Sequence, residues 1–213
     1  KLKKPIDGHA PGLRGPELRK YIAVGITTDH ECNSLEEALE KISLGMKVII
    51  REGSAGRNLN ALKDLYRFNP DMVMLSSDDI HPEMLQKRHL DKLIALLIND
   101  GYDLFDVIRS ATVNPVIHYN LDAGLLRPGD NADFIITDNP AQMNVMETWI
   151  GGVKVYDRGK VLFEYKSGIP VNNFHCSRIH KNELTVKNKV REISIITACD
   201  GDLFTKEIIH ETE

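Results

Sequence analysis

Residues 72–82 read Met72-Val73-Met74-Leu75-Ser76-Ser77-Asp78-Asp79-Ile80-His81-Pro82. The first four are an uninterrupted apolar run, suited to a strand buried on both faces, the habit of parallel sheets. Two serines and two carboxylates follow at once. The same grammar recurs upstream. Met46-Lys47-Val48-Ile49-Ile50 runs into Arg51-Glu52, Gly25-Ile26-Thr27-Thr28 runs into Asp29-His30-Glu31, and a first strand ends near Ile6-Asp7-Gly8-His9. Helical patterns separate these runs, and strands alternating with helices are the mark of an α/β fold with a parallel sheet.

The intervening segments carry their own punctuation. One helix is expected from about Pro16 to Val24. The next starts at Ser34, with Glu37 three residues on as a capping box, Leu35, Ala38, Leu39 and Ile42 as its apolar stripe and Gly45 closing it. A third spans about Leu59 to Phe68. After Leu75, Leu90, Leu93, Ile94, Leu97 and Ile98 give one apolar helix face, broken at Asp100-Gly101. Leu104, Val107, Ile108 and Ala111 give another, expected to end before Asn114-Pro115.

From about Leu125 the pattern changes to short strands over Ala132–Thr137, Thr148–Ile150, Lys154–Tyr156 and Lys160–Phe163, a small antiparallel layer. Beyond Gly168-Ile169-Pro170 the chain is polar and basic, with one more strand over Ile193–Thr197 and a basic segment, Lys181–Arg191, that reads as a solvated face. Internal repeats are absent.

Composition narrows the class. Of 213 residues, 42% are hydrophobic and 27% charged, which suits a soluble globular chain rather than a disordered one. A net charge of −4 gives no footprint for nucleic acid, and no apolar run reaches the ~18 residues that cross a bilayer. Cys32, Cys176 and Cys199 are odd in number and far apart, so they form neither a disulfide framework nor a Cys-x-x-Cys zinc site, and a cytoplasmic setting is expected. The chain starts at Lys1 without an initiator Met, as a segment from within a longer polypeptide would.

The chemistry lies in where the reactive side chains fall. His9, His30, Glu52 and Asp78 each follow an expected strand, and their numbers differ by 21, 22 and 26, about the length of one βα unit. All four should emerge at the C-terminal end of a parallel sheet, where barrel enzymes build active sites. Two imidazoles and a carboxylate there suit a divalent metal: zinc, manganese or iron. Taken singly, each has a plainer reading. His9 could be a loop histidine, His30 part of a solvated acidic loop, Asp78 and Asp79 a helix cap, and Arg51-Glu52 a surface ion pair. Their joint placement favours the metal. Gly53-Ser54-Ala55-Gly56-Arg57-Asn58 is either an anion-holding turn before a helix or a tight structural turn, and no neighbouring base makes Ser54 a nucleophile.

Asp7–Leu13, Asp29–Glu31, Arg51–Ala55 and Ser77–Pro82, in this order and spacing, resemble successive barrel motifs of bacterial adenine deaminases. Ala111–Pro115 and Gly124–Phe134 resemble the tail of amidohydrolases in general, which leaves the barrel for a small β-sandwich. The resemblance implies that residues 1–122 are the C-terminal half, strands five to eight, of a (β/α)8 barrel. Residues 123–168 would be a β-sandwich segment, and 169–213 the start of a further C-terminal domain.

It implies further that His9, His30 and Asp78 ligate metal, that Asp78 and Glu31 are catalytic, and that Glu52, Ser54 and Arg51 bind substrate. Asp78 is preferred to Asp79 because it directly follows Ser76-Ser77. The implied cofactor is a binuclear divalent metal centre, manganese or iron before zinc. The implied reaction is hydrolysis of adenine to hypoxanthine and ammonia by attack of metal-bound hydroxide on purine C6.

Such enzymes also carry a His-x-His pair on the first strand and a bridging carboxylate from the middle strands. This sequence has no His-x-His, so an N-terminal half-barrel is the expected partner, in an assembly that is itself expected to be a homo-oligomer. A dihydroorotase-like or hydantoinase-like hydrolase of cyclic amides would share the same ligands, and a non-catalytic half-barrel docking fragment is the reading from outside enzymes.

Overall fold

The computed structural model describes residues 4–185 and 190–211. They fall into two compact units, within Lys1–Leu162 and within Phe163–Glu213. The first unit opens with β1 (Ile6–Gly8), α1 (Gly15–Ala23), β2 (Ile26–Asp29), α2 (Leu35–Ser43) and β3 (Lys47–Arg51). Two short helices, α3 (Leu59–Leu62) and α4 (Leu65–Phe68), lead to β4 (Val73–Ser76). The four strands pair in sequence order, all parallel. Val48 pairs with Val73 and Arg51 with Ser76, so β3 and β4 end level. Parallel pairing without hairpins forces each connection to run back along the sheet, which turns every strand's C-terminus to the same edge.

The core forms where that sheet meets its helices. Val48, Ile50, Val73 and Leu75 from the strands pack with Ala38, Leu62 and Leu65, and with Leu93 and Leu97 of α6 (Leu90–Asn99) and Val107 of α7 (Leu104–Ala111). α5 (Pro82–Leu85) precedes these. The amide of Glu37 donates to the Ser34 hydroxyl at 3.2 Å, as a capping serine should. The reciprocal bond goes elsewhere, because Glu37 Oε2 accepts from Asn33 and Oε1 is committed to Gly12 and Lys41.

One helix expectation is corrected. The stretch 59–68 is not one helix. Bonds from Tyr66 N to Lys63 O and Arg67 N to Asp64 O tighten the backbone at Lys63-Asp64 and split it. The helix from Leu104 ends before Asn114-Pro115, as expected, and a further short helix, not expected from the sequence, follows it. α7 stops at Ala111 and α8 (Val113–Tyr119) begins at once, with Pro115 in the first turn, where its missing N–H has no intrahelical acceptor. Asn114 Nδ2 donates to Pro70 O and Val73 O, tying α8 to the start of β4.

The antiparallel layer is one four-stranded meander of β5 (Phe134–Thr137), β6 (Val145–Ile150), β7 (Val153–Asp157) and β8 (Lys160–Val161). The Gly124–Phe134 motif closes it. Asp133 accepts from the amides of Gly124 and Gly151, and a Cβ on Gly124 would sit 1.8 Å from Asn131 O.

In the second unit β9 (Glu192–Ala198) pairs antiparallel with β10 (Thr205–Glu211), a strand that the adjacent Ile208-Ile209 and flanking charges do not advertise. Of the basic segment Lys181–Arg191, residues 186–189 lie outside the described ones, and the 3₁₀ turn Lys181–Leu184 is exposed. No helix among the described residues is long and apolar enough to cross a membrane.

Leu96 and Leu97 are neighbours in α6, the first 46% exposed and the second fully buried. Leu97→Ala should cost about 2–5 kcal/mol and Leu96→Ala under ~1 kcal/mol in urea denaturation of the intact protein.

Candidate metal centre

Parallel pairing puts the reactive side chains, which follow the strand ends, on one rim. His9 follows β1 directly, His30 and Glu31 follow β2, Arg51 ends β3 with Glu52 behind it, and Asp78 lies two residues past β4. His9 and His30 approach to 5.3 Å between ring centroids, tilted by 56°. With Glu31 they form a group whose potential ligand atoms all lie within 4.8 Å of one another. Glu31 is 3% exposed, and its Oε2 stands 3.0 Å from His9 Nε2. Two imidazoles and a carboxylate at this separation are a donor set that fits a divalent metal.

Asp78 is beside this group rather than in it. Its Oδ2 accepts from Arg51 Nη1 at 3.2 Å, while Arg51 Nη2 reaches Glu31 Oε1 at 2.8 Å. Arg51 is therefore not one half of a surface ion pair with the residue beside it. Asp78 takes a left-handed backbone, φ 51°, with its amide on the Ser76 hydroxyl, a conformation that Asp tolerates better than most residues.

Ser54 fastens two loops together. Its hydroxyl accepts from His81 N at 2.8 Å and its amide donates to Asp79 O. The Gly53–Asn58 stretch is a closed turn, with Gly53 N bonded to Gly56 O. Glu52 is half-buried, and burial raises its pKa against the opposing pull of Arg88 and Arg57.

Behind the rim lies a layer that the sequence motifs do not reveal. Lys41, fully buried, donates its ammonium to Ala10 O at 2.7 Å, Asp29 Oδ2 at 2.8 Å and Glu37 Oε1 at 2.6 Å. Ala10 is the neighbour of His9, and Asp29 the neighbour of His30. Asp29 also accepts from Ala10 N and from the Cys32 thiol, and Glu37 accepts from Gly12 N.

Asp29, Cys32 and Glu37 have ligand-like spacing of their own, but Asp29 and Glu37 hold the Lys41 ammonium and the Cys32 thiol donates to Asp29. Burial alone would push the Asp29 carboxyl up, and the Lys41 hydrogen bond and charge more than offset it, so its pKa is lowered. The Lys41 pKa is raised, burial being outweighed by its two carboxylates, and burial with Asp29 close by raises the Cys32 thiol. Asn58 completes the support, accepting from Arg51 N and donating to His30 O and Cys32 O. Lys41 sits four residues after Glu37 on an amphipathic helix, a spacing that in sequence reads as a surface pair. Its only signal is a position flanking the apolar stripe.

A model of the amidohydrolase family matches residues 1–155. The chain belongs to that family. It is 46% identical over 209 residues to the adenine deaminase of Salinibacter ruber, covering 98% of this chain and 38% of that one. To the adenine deaminase of Methanosarcina mazei it is 47% identical over 215 residues, covering 95% and 39%. The amidohydrolase segment thus spans well under half the length of the curated relatives it matches. Among solved structures, the β-aspartyl dipeptidase of Fervidobacterium islandicum AW-1 superposes with a TM-score of 0.57 at 18% identity over 75% of this chain and 49% of that one, a likeness of fold alone.

Removing one partner of a buried ionic group leaves the others uncompensated. Lys41→Met should destabilise the intact protein by about 3–5 kcal/mol, and adding Asp29→Asn with Glu37→Gln should recover part of that in denaturant titration. The Asp29 contribution is present at neutral pH and lost as pH falls through its lowered pKa. The Lys41 contribution is lost as pH rises through its raised one.

Proposed function

We propose that this chain supplies the C-terminal half of an adenine deaminase active site, hydrolysing adenine to hypoxanthine and ammonia. The reading rests above all on His9, His30 and Glu31 meeting on one rim with Asp78 held beside them, in a chain 46% identical to a named adenine deaminase. The four parallel strands would be strands five to eight of a (β/α)8 barrel, and an N-terminal half-barrel would complete both the sheet and the ligand set. A sheet edge left unpaired is a liability in water, which is one physical reason for such a complement.

His9 and His30, with Glu31 within ligand distance of both, would hold the metal. Asp78, the ligand that the resemblance implies, would join them from beside the group, in a binuclear centre of manganese or iron before zinc. When bound, a divalent metal lowers the pKa of water and so provides a nucleophile at neutral pH. The residues of this chain do the rest. Asp78 accepts the proton of the water that attacks C6 and delivers it to N1 or to the departing amine, while the C6–O bond forms and the C6–N bond breaks. Glu31, buried beside His9, acts with it on the protons of the ring and the leaving group. Glu52, Ser54 and Arg51 belong to the substrate side of the rim.

The test is ammonia release from adenine by the intact, metal-loaded protein. Asp78→Asn should lower kcat by about 10²–10⁴-fold, the usual contribution of a positioned acid–base group. Chelation should abolish turnover and re-addition of Mn²⁺ restore it. Hydrolysis of a dihydroorotate or hydantoin with adenine untouched would refute the deaminase reading.

A further inference from the structure

Arg51 joins two carboxylates that arrive from different strand ends. Nη2 takes Glu31 Oε1 at 2.8 Å and Nη1 takes Asp78 Oδ2 at 3.2 Å, while Glu31 Oε2 touches His9 Nε2 at 3.0 Å. A continuous line of charge-assisted contacts therefore runs from Asp78 through Arg51 and Glu31 to His9. The guanidinium is out of bulk water, with Arg51 6% and Glu31 3% exposed, so the bond between these two is little screened.

Its seat is shaped for it. A Cβ on Gly56 would stand 2.8 Å from Nη2 and 2.9 Å from Cζ, so only glycine leaves the guanidinium its place. Asn58 fixes the Arg51 backbone on both sides, accepting from Arg51 N and donating its amide to Arg51 O, and it also holds the His30 carbonyl. Both terminal nitrogens are engaged by carboxylates, and Nε is buried with no hydrogen-bond partner among the described residues.

We infer that Arg51 is a positioning residue rather than a ligand for the substrate. Its planar fork holds the Asp78 and Glu31 carboxylates in register with His9 before substrate arrives. The inference rests on the functional reading above and sharpens the place of Arg51 on the substrate side. A lysine, a single point donor on a flexible stem, cannot span both carboxylates at fixed angles.

The test compares Arg51→Lys and Gly56→Ala with wild type in the intact protein. Thermal melting confirms folding, Mn²⁺ affinity is measured by titration, and kcat and KM for adenine are measured at saturating Mn²⁺. Gly56→Ala keeps every charge and displaces only the guanidinium, so it remains informative if the Arg51 variant is unstable. For Arg51→Lys the expected result is Mn²⁺ affinity lower by about 10–100-fold, the usual cost of losing support behind a ligand. Its kcat should fall with KM changed less than about threefold, the sign of an interaction made for the transition state rather than for binding. Gly56→Ala should shift both in the same direction by a smaller factor. A raised KM with unchanged kcat and Mn²⁺ affinity would make Arg51 a substrate ligand and overturn the inference, as would wild-type values in both variants. Wild type that binds Mn²⁺ but leaves adenine intact would overturn the deaminase reading alone, with the Mn²⁺ affinities of the variants still deciding the fork.

Discussion

The ammonium of Lys41 lies in a place where water cannot reach it, between Asp29, Glu37 and the carbonyl of Ala10. An isolated ion there would be too costly to keep charged. Held by two carboxylates and a carbonyl it is stable, and it becomes a constraint on everything it touches. The loop after β1 is pinned through Ala10 and Gly12, and the end of β2 through Asp29. His9 and His30 extend from those two pinned backbones. Their rings meet at 5.3 Å between centroids, above those two ties.

A division of labour runs through the site. Parallel pairing brings the strand ends to a common rim, but pairing along a sheet sets positions only to within a residue or so. The finer placement comes from polar side chains behind the rim. Asn58 bonds to the ends of two successive strand–loop junctions, Ser54 fastens the loop after β3 to the loop after β4, and Arg51 spans from one to the other. Buried and charge-assisted contacts of this kind are directional, so they transmit geometry where apolar packing transmits mainly proximity. Lys41 acts between β1, β2 and α2, whereas Arg51 acts between the ends of β2, β3 and β4. The two cations thus cover adjoining parts of the rim.

Apolar periodicity, capping residues and the runs Met46–Ile50 and Met72–Leu75 were sufficient to read off a parallel α/β sheet. That is because burial on one face or two imposes a pattern that every helix and strand must obey locally. Regular spacing of His9, His30, Glu52 and Asp78 placed them on one rim for the same reason: a βα unit has a nearly fixed length. The sequence was less informative where local preference and tertiary contact compete. Lys63-Asp64 interrupts a good helical pattern, α8 follows α7 across the single residue Thr112 with Pro115 in its first turn, and β10 forms by pairing with β9 rather than by any alternation of its own.

From its sequence alone this protein was legible as a member of the amidohydrolases, with its strand order and the residue types that meet at the strand ends. Only the tertiary structure decided who holds whom. Glu37 read as half of a capping box, Arg51 as a substrate contact or half of a surface ion pair, Glu31 as a catalytic carboxylate, and Lys41 carried no reading at all. Their partners lie 12 to 31 residues away along the chain in the bonds that matter, Lys41 to Asp29 and Ala10, Arg51 to Glu31 and Asp78. Hydrogen bonds at that range leave no periodic trace, because they depend on where two separate backbones end in space and not on the repeat of either one.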